Sequence, residues 1–73
     1  MYLLEIRRAT NSDPYIAIYR GTFNPGGRLC LPEEIPHELA DTLQELLYST
    51  TEGGTHSERI GNSTYQASWR RKT

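Results

Sequence analysis

The chain has a single cysteine, Cys30, among its 73 residues. One thiol excludes an intrachain disulfide, so no covalent staple holds the fold, and the expected setting is a reducing compartment. Long apolar runs are missing as well. Nothing approaches the roughly 20 consecutive apolar residues of a membrane-spanning helix. The opening Met1-Tyr2-Leu3-Leu4-Glu5 lacks the positive start and the roughly 7–15-residue apolar stretch of a secretory signal. Glu5 and Arg7 interrupt it too early. The reading is a cytoplasmic chain without a membrane anchor, and Asn62-Ser63-Thr64 is read as a turn rather than as a glycosylation site.

Motifs that carry chemistry are also absent. There is no Cys-x-x-Cys and no His-Glu-x-x-His. Cys30, His37 and His56 do not have the paired spacing of metal ligands or of a nucleophile and its base. Gly26-Gly27 and Gly53-Gly54 are not followed by the Lys-Ser/Thr of a phosphate loop and read as turns. The expectation is therefore not an enzyme, with no cofactor and no metal.

Shortness limits the fold. A chain of this length forms one domain, residues 1–73, and buries only about 60% of its unfolded surface. Small scaffolds usually need a staple such as a disulfide, a metal or a partner subunit. With the first two disfavoured, self-association remains, and a homo-oligomer, in the simplest case a homodimer, is expected.

What is present is a segregated charge pattern. Residues 1–28 hold Arg7, Arg8, Arg20 and Arg28 against Glu5 and Asp13. Residues 29–58 hold Glu33, Glu34, Glu38, Asp41, Glu45, Glu52 and Glu58 with no Lys or Arg. Residues 59–73 hold Arg59, Arg70, Arg71 and Lys72 with no acid. The net charge of −1 therefore conceals an acidic middle between basic flanks. Almost all of the basic residues are arginine, which suits bidentate and stacking contacts.

The acidic middle contains the one clear helix. Leu39, Ala40, Leu43, Leu46 and Leu47 recur at i, i+1, i+4, i+7 and i+8, the spacing of one helix face. Pro36 suits the first helical position, and Glu33, Glu34 and Glu38 complement the positive end of the helix dipole. The remainder reads as strands. Tyr2–Ala9 alternates, Thr10–Pro14 is a cluster of turn formers, and Tyr15–Phe23 is a second strand with Ile16 and Ile18 inward. Tyr15, Ala17 and Tyr19 then face outward. Arg28–Leu31 adds an optional short strand. Gly61-Asn62 joins Thr55–Ile60 to Ser63–Arg70 as a hairpin, and the basic tail 70–73 is expected to fray.

The predicted fold is α+β: a small antiparallel sheet in the order β-β-(β)-α-β-β with one amphipathic helix packed on one face. Its predicted core is Leu4, Ile6, Ile16, Ile18, Leu39, Leu43, Leu46, Leu47, Tyr65 and Trp69. A strand–strand–strand–helix order with a leucine-rich helix resembles small antitoxin domains of the HicB type in topology alone, and no site residue follows from it.

Three surfaces are candidates for function: the outer helix face, the sheet face left uncovered by the helix, and the basic C-terminal tail Trp69-Arg70-Arg71-Lys72, whose cluster can contact phosphate. The outer helix face, with Glu38, Asp41, Glu45 and the preceding Glu34, is an unbalanced acidic strip suited to a basic protein partner. This gives the leading expectation, a small non-catalytic protein-binding module that inhibits or regulates by protein–protein contact through this strip or through the exposed sheet face. The alternative is a nucleic-acid-binding domain in which Tyr15 and Tyr19 stack on bases while Arg7, Arg70 and Arg71 hold phosphates.

Overall fold

The computed structural model describes residues 1–50 and 52–72. Strands β1 (Tyr2–Thr10) and β2 (Ile16–Phe23) come first. They are followed by helix α1 (His37–Tyr48) and strands β3 (Gly54–Ile60) and β4 (Ser63–Arg71). The four strands form one antiparallel sheet in the order β2-β1-β4-β3. The two centre strands are thus the first and last in the sequence, and β1 and β4 pair along their whole length, from Tyr2 opposite Arg71 to Thr10 opposite Ser63.

Alternation decides which face is buried. Tyr2, Leu4 and Ile6 of β1 and Tyr65, Ala67 and Trp69 of β4 point to one side. There they form a single core with Ile35 and with Leu39, Leu43 and Leu47 of α1. These three leucines are spaced at i, i+4 and i+8, so one narrow helix stripe covers the sheet. The helix starts one residue later than expected. Pro36 occupies the N-cap with an extended ψ of 144°, and its carbonyl accepts the Ala40 N–H at 2.9 Å.

The loop between β2 and α1 contains no strand. Arg28–Leu31 is irregular, so the order is β-β-α-β-β, without the third strand on which the antitoxin likeness depended. The segment is instead fastened to the helix. Gln44 accepts the Leu29 N–H at 2.7 Å and donates to the Gly27 carbonyl at 3.1 Å. Leu29 and Leu31 still pack at the margin of the core.

Strand β2 departs from the expected alternation. Its register with β1 shifts between Ile6 and Arg7: Ile6 lies opposite Tyr19, but Arg7 lies opposite Ala17. Ile18 is the extra residue of a bulge, and both Ile18 and Tyr19 pack against the core margin. A bulge inserts one residue and so reverses the facing of everything beyond it. Tyr19 therefore lies on the helix side, with its ring over Gly21, where a Cβ would meet the phenol oxygen. Phe23 stacks on Tyr2 with ring centroids 5.4 Å apart. Ile16, expected in the core, is half exposed because its ladder partner is Arg8 rather than an apolar side chain. Leu46, also expected there, is 42% exposed because it flanks the stripe of Leu39, Leu43 and Leu47.

At the other edge, Gly61 takes a φ of +61° at the first position of the two-residue β3–β4 turn, a conformation open to glycine at little cost. The tail is ordered as far as it is described. Arg70 and Arg71 belong to β4, and the Lys72 N–H donates to the Met1 carbonyl at 3.0 Å. Strand β1 begins at Tyr2 and so offers partners to these residues. Thr73 of the expected tail lies outside the described residues, as does Thr51 in the helix-to-strand connection.

The difference between Leu43, fully buried, and Leu46, 42% exposed, yields a stability prediction. Leu43→Ala is expected to lower the unfolding free energy by about 2–5 kcal/mol. Leu46→Ala is expected to lower it by less than about 1 kcal/mol. Urea denaturation followed by circular dichroism measures both. Equal losses would contradict the placement of the helix stripe.

Candidate functional site: an arginine-bearing sheet face opposite an acidic helix ridge

One helix covers one side of the sheet, and the other side is open. The register places Leu3, Glu5, Arg7 and Ala9 of β1 on that open face, with Thr64, Gln66, Ser68 and Arg70 of β4. From β2 come Ala17, Arg20 and Thr22, and from β3 come Thr55, Ser57 and Arg59. Each of the four strands thus contributes one arginine to the same surface. The floor between them is mainly alanine, serine and threonine, with Leu3 and Gln66, and among the described residues none of its paired strand positions is aromatic.

Glu5 is the carboxylate on this face. Arg20 Nε donates to one of its oxygens at 2.6 Å and Arg7 Nε to the other at 2.8 Å. These hydrogen bonds, first from Arg20 and then from Arg7, hold the Glu5 carboxyl below its ordinary pKa. Ion pairs this open add little stability. Their effect is to orient: two mobile guanidinium groups are held in a defined position across β2 and β1. Arg70 stands free of such a partner among the described residues. Between Arg20 and Arg70 lies an open depression of ≈390 Å³ over Leu3, Glu5 and Ser68.

The opposite layer is acidic. Glu38, Asp41 and Glu45 are exposed, at i, i+3 and i+7, on the side of α1 turned away from Leu39, Leu43 and Leu47. Glu34 is exposed just ahead of the helix. Tyr48 continues the ridge three residues after Glu45 and is 61% exposed. No Lys or Arg occurs in the helix. The ridge holds no salt bridge among the described residues.

The two residue sets expected from sequence fare differently. Glu38, Asp41 and Glu45 share one outward helix face, and Glu34 is exposed in the turn ahead of it. Of the nucleic-acid set, Arg7 and Arg70 share the open face, but Tyr19 and Arg71 do not. Tyr19 is turned to the helix side by the bulge, and Arg71 lies opposite Tyr2 of the core face. Tyr15 lies in the loop before β2 and is 46% exposed. Sequence reasoning missed Arg20 and Arg59 as members of the face. Arg59 was legible from the alternation of β3, whereas Arg20 depends on the bulge.

The remaining reactive side chains are dispersed. Cys30 is exposed in the loop, and His37 begins the helix. His56 Nε2 lies 3.1 Å from Glu58 Oε1 on β3. Among the described residues, no three His, Cys, Asp or Glu side chains meet in a metal-holding group. Among the described residues, no helix is long and apolar enough to cross a membrane.

Glu5 makes the face pH-sensitive in a defined direction. Its carboxyl is depressed below 4.5 in the folded chain, so its ion pairs stabilise the fold above the unfolded-state value. That contribution is lost as the pH falls through the depressed folded value. A carboxyl-resolved NMR titration is expected to place the Glu5 midpoint below 4.5. Glu5→Gln is expected to flatten the acid limb of the stability profile in the same range. A Glu5 midpoint at or above the ordinary value would contradict the two arginine contacts.

Comparison with protein families, with curated proteins and with solved structures finds no match to this chain.

Proposed function

We propose that this chain is a non-catalytic protein-binding module that inhibits or regulates a larger partner, docking through the acidic ridge of α1 on a basic protein surface. One observation carries the reading. Glu38, Asp41 and Glu45 form a single outward stripe with the exposed ring of Tyr48 at its end, on a helix without Lys or Arg. Tyrosine is a frequent interface anchor, and surrounding carboxylates supply electrostatic selectivity and a faster encounter. The opposite face of the helix is fully committed to the core, so these side chains are free to contact a partner without disturbing the fold.

The open sheet face supports a second reading, in which the chain binds nucleic acid. Its support is the arginine contributed by every strand to one surface, since such binding requires a basic face. Two features rank this reading second. Tyr19, expected on that face for bases to stack on, lies on the other side. Arg7 and Arg20 are already engaged by Glu5.

Charge reversal separates the two. The tagged chain is recovered with bound protein from its host lysate, with and without nuclease. The triple variant Glu38→Lys, Asp41→Lys, Glu45→Lys is expected to lose a stoichiometric, nuclease-resistant partner while keeping its circular dichroism spectrum. The double variant Arg7→Glu, Arg70→Glu is expected to retain it. The reverse pattern, with salt-sensitive binding to a labelled single-stranded oligonucleotide that Arg7→Glu, Arg70→Glu abolishes, would replace the first reading by the second.

A further inference from the structure

An open sheet has two edges, and here they differ. Strand β2 carries the bulge at Ile18 and breaks register with its neighbour. Bulges of this kind disrupt an edge ladder and discourage pairing with another chain. Strand β3 has no bulge. Its seven residues, Gly54–Ile60, contain no proline and no lysine and pair with β4 without a register shift. Among the described residues, no further backbone hydrogen bond joins β3 to any segment outside the sheet. One side of a regular strand is left as a template for another strand.

We propose that the chain forms a two-fold symmetric dimer by antiparallel pairing of β3 with β3 of a second copy, centred on Ser57, giving a continuous eight-stranded sheet. The symmetry limits the choices. Directly opposed residues of antiparallel strands share a face, so keeping both open faces on the same side requires a two-fold axis that passes between two copies of the same residue. Three centres lie near the middle of the strand. A centre at His56 leaves Arg59 and Ile60 opposite residues 53 and 52, ahead of the strand, and a centre at Glu58 sets two identical carboxylates against each other, which disfavours pairing. A centre at Ser57 does neither. It aligns all seven residues, Gly54 against Ile60 and Thr55 against Arg59. It also sets His56, a nitrogen donor, against Glu58 of the second copy, an oxygen acceptor, at two equivalent positions.

The geometry within one chain is compatible with this. His56 and Glu58 both lie on the helix side of β3, opposite Ala67 and Tyr65, and their side chains already approach to 3.1 Å. On the open side, Arg59 faces Thr55 of the second copy rather than another arginine. The two arginine-bearing faces would then be joined into one surface with doubled charge. A dimer also supplies the additional buried surface that a chain of this size lacks. Pairing through β3 is independent of which face of the monomer engages a partner.

Sedimentation and cross-linking test it together. Sedimentation equilibrium of the unmodified chain from micromolar to millimolar concentration is expected to reach twice the 8.4 kDa chain mass. In a Cys30→Ser background, Ser57→Cys is expected to cross-link rapidly under mild oxidation. Directly opposed residues lie roughly 4.5–5.5 Å apart, inside the disulfide range. Thr55→Cys in the same background is the control. Its two copies would be offset by four residues, about 13 Å, and would not bridge. A chain that stays at 8.4 kDa throughout would overturn the dimer. Cross-linking of the Thr55→Cys variant as fast as that of the Ser57→Cys variant would overturn the register.

Discussion

The packing of Leu39, Leu43 and Leu47 onto the centre of a single sheet is the contact on which the rest of this structure depends. All three are essentially inaccessible, and they meet Leu4, Ile6, Tyr65, Ala67 and Trp69 from the two central strands. Because β1 and β4 are first and last in the chain, this contact closes the molecule end to end. It also fixes a direction. Once the leucine stripe faces the sheet, the carboxylates at Glu38, Asp41 and Glu45 must face away from it. Once Leu4 and Ile6 face the helix, Glu5 and Arg7 must face the opposite way. The two charged faces are therefore consequences of one buried interface.

The satellite contacts serve the same arrangement. Gln44 ties the irregular loop to the helix through both its oxygen and its nitrogen. Trp69 closes the other end, with its indole N–H donating to Thr50 Oγ1 at 3.3 Å and its ring lying over Gly54. A side chain at Gly54 would place its Cβ 2.9 Å from Trp69 Cζ2, so the close approach of ring and backbone requires glycine there. Both contacts hold irregular chain against the regular elements and leave the open sheet face untouched.

Much of this was legible in the sequence because it follows from periodicity. The helix, the two hairpins, the positive φ at Gly61 and the outward acidic strip all rest on local spacing. Strand β2 was read less well. Its aromatic and β-branched residues mark a strand, but a bulge leaves no periodic signature, and one extra residue at Ile18 exchanged the sides of Tyr19 and Arg20. The optional strand at Arg28–Leu31 failed for a different reason. Its alternation of Leu29 and Leu31 is real, but both side chains are satisfied at the core margin without a ladder. The ordered tail was missed because the pairing of Arg70 and Arg71 with the start of β1 is a contact between the two ends of the chain, to which local composition is blind.

A buried leucine stripe thus sorts the charge of a nearly neutral chain onto opposite faces. Solvent paramagnetic relaxation measured with one anionic and one cationic nitroxide, amide by amide, tests this most directly. The anionic probe is expected to be enriched over Thr55, Ser57, Gln66 and Ser68 of the open sheet face, and the cationic probe over Glu38, Asp41, Glu45 and Tyr48. Added salt should erase both preferences. Equal accessibility to the two probes on both faces at low salt would contradict the sorting of charge by the buried stripe.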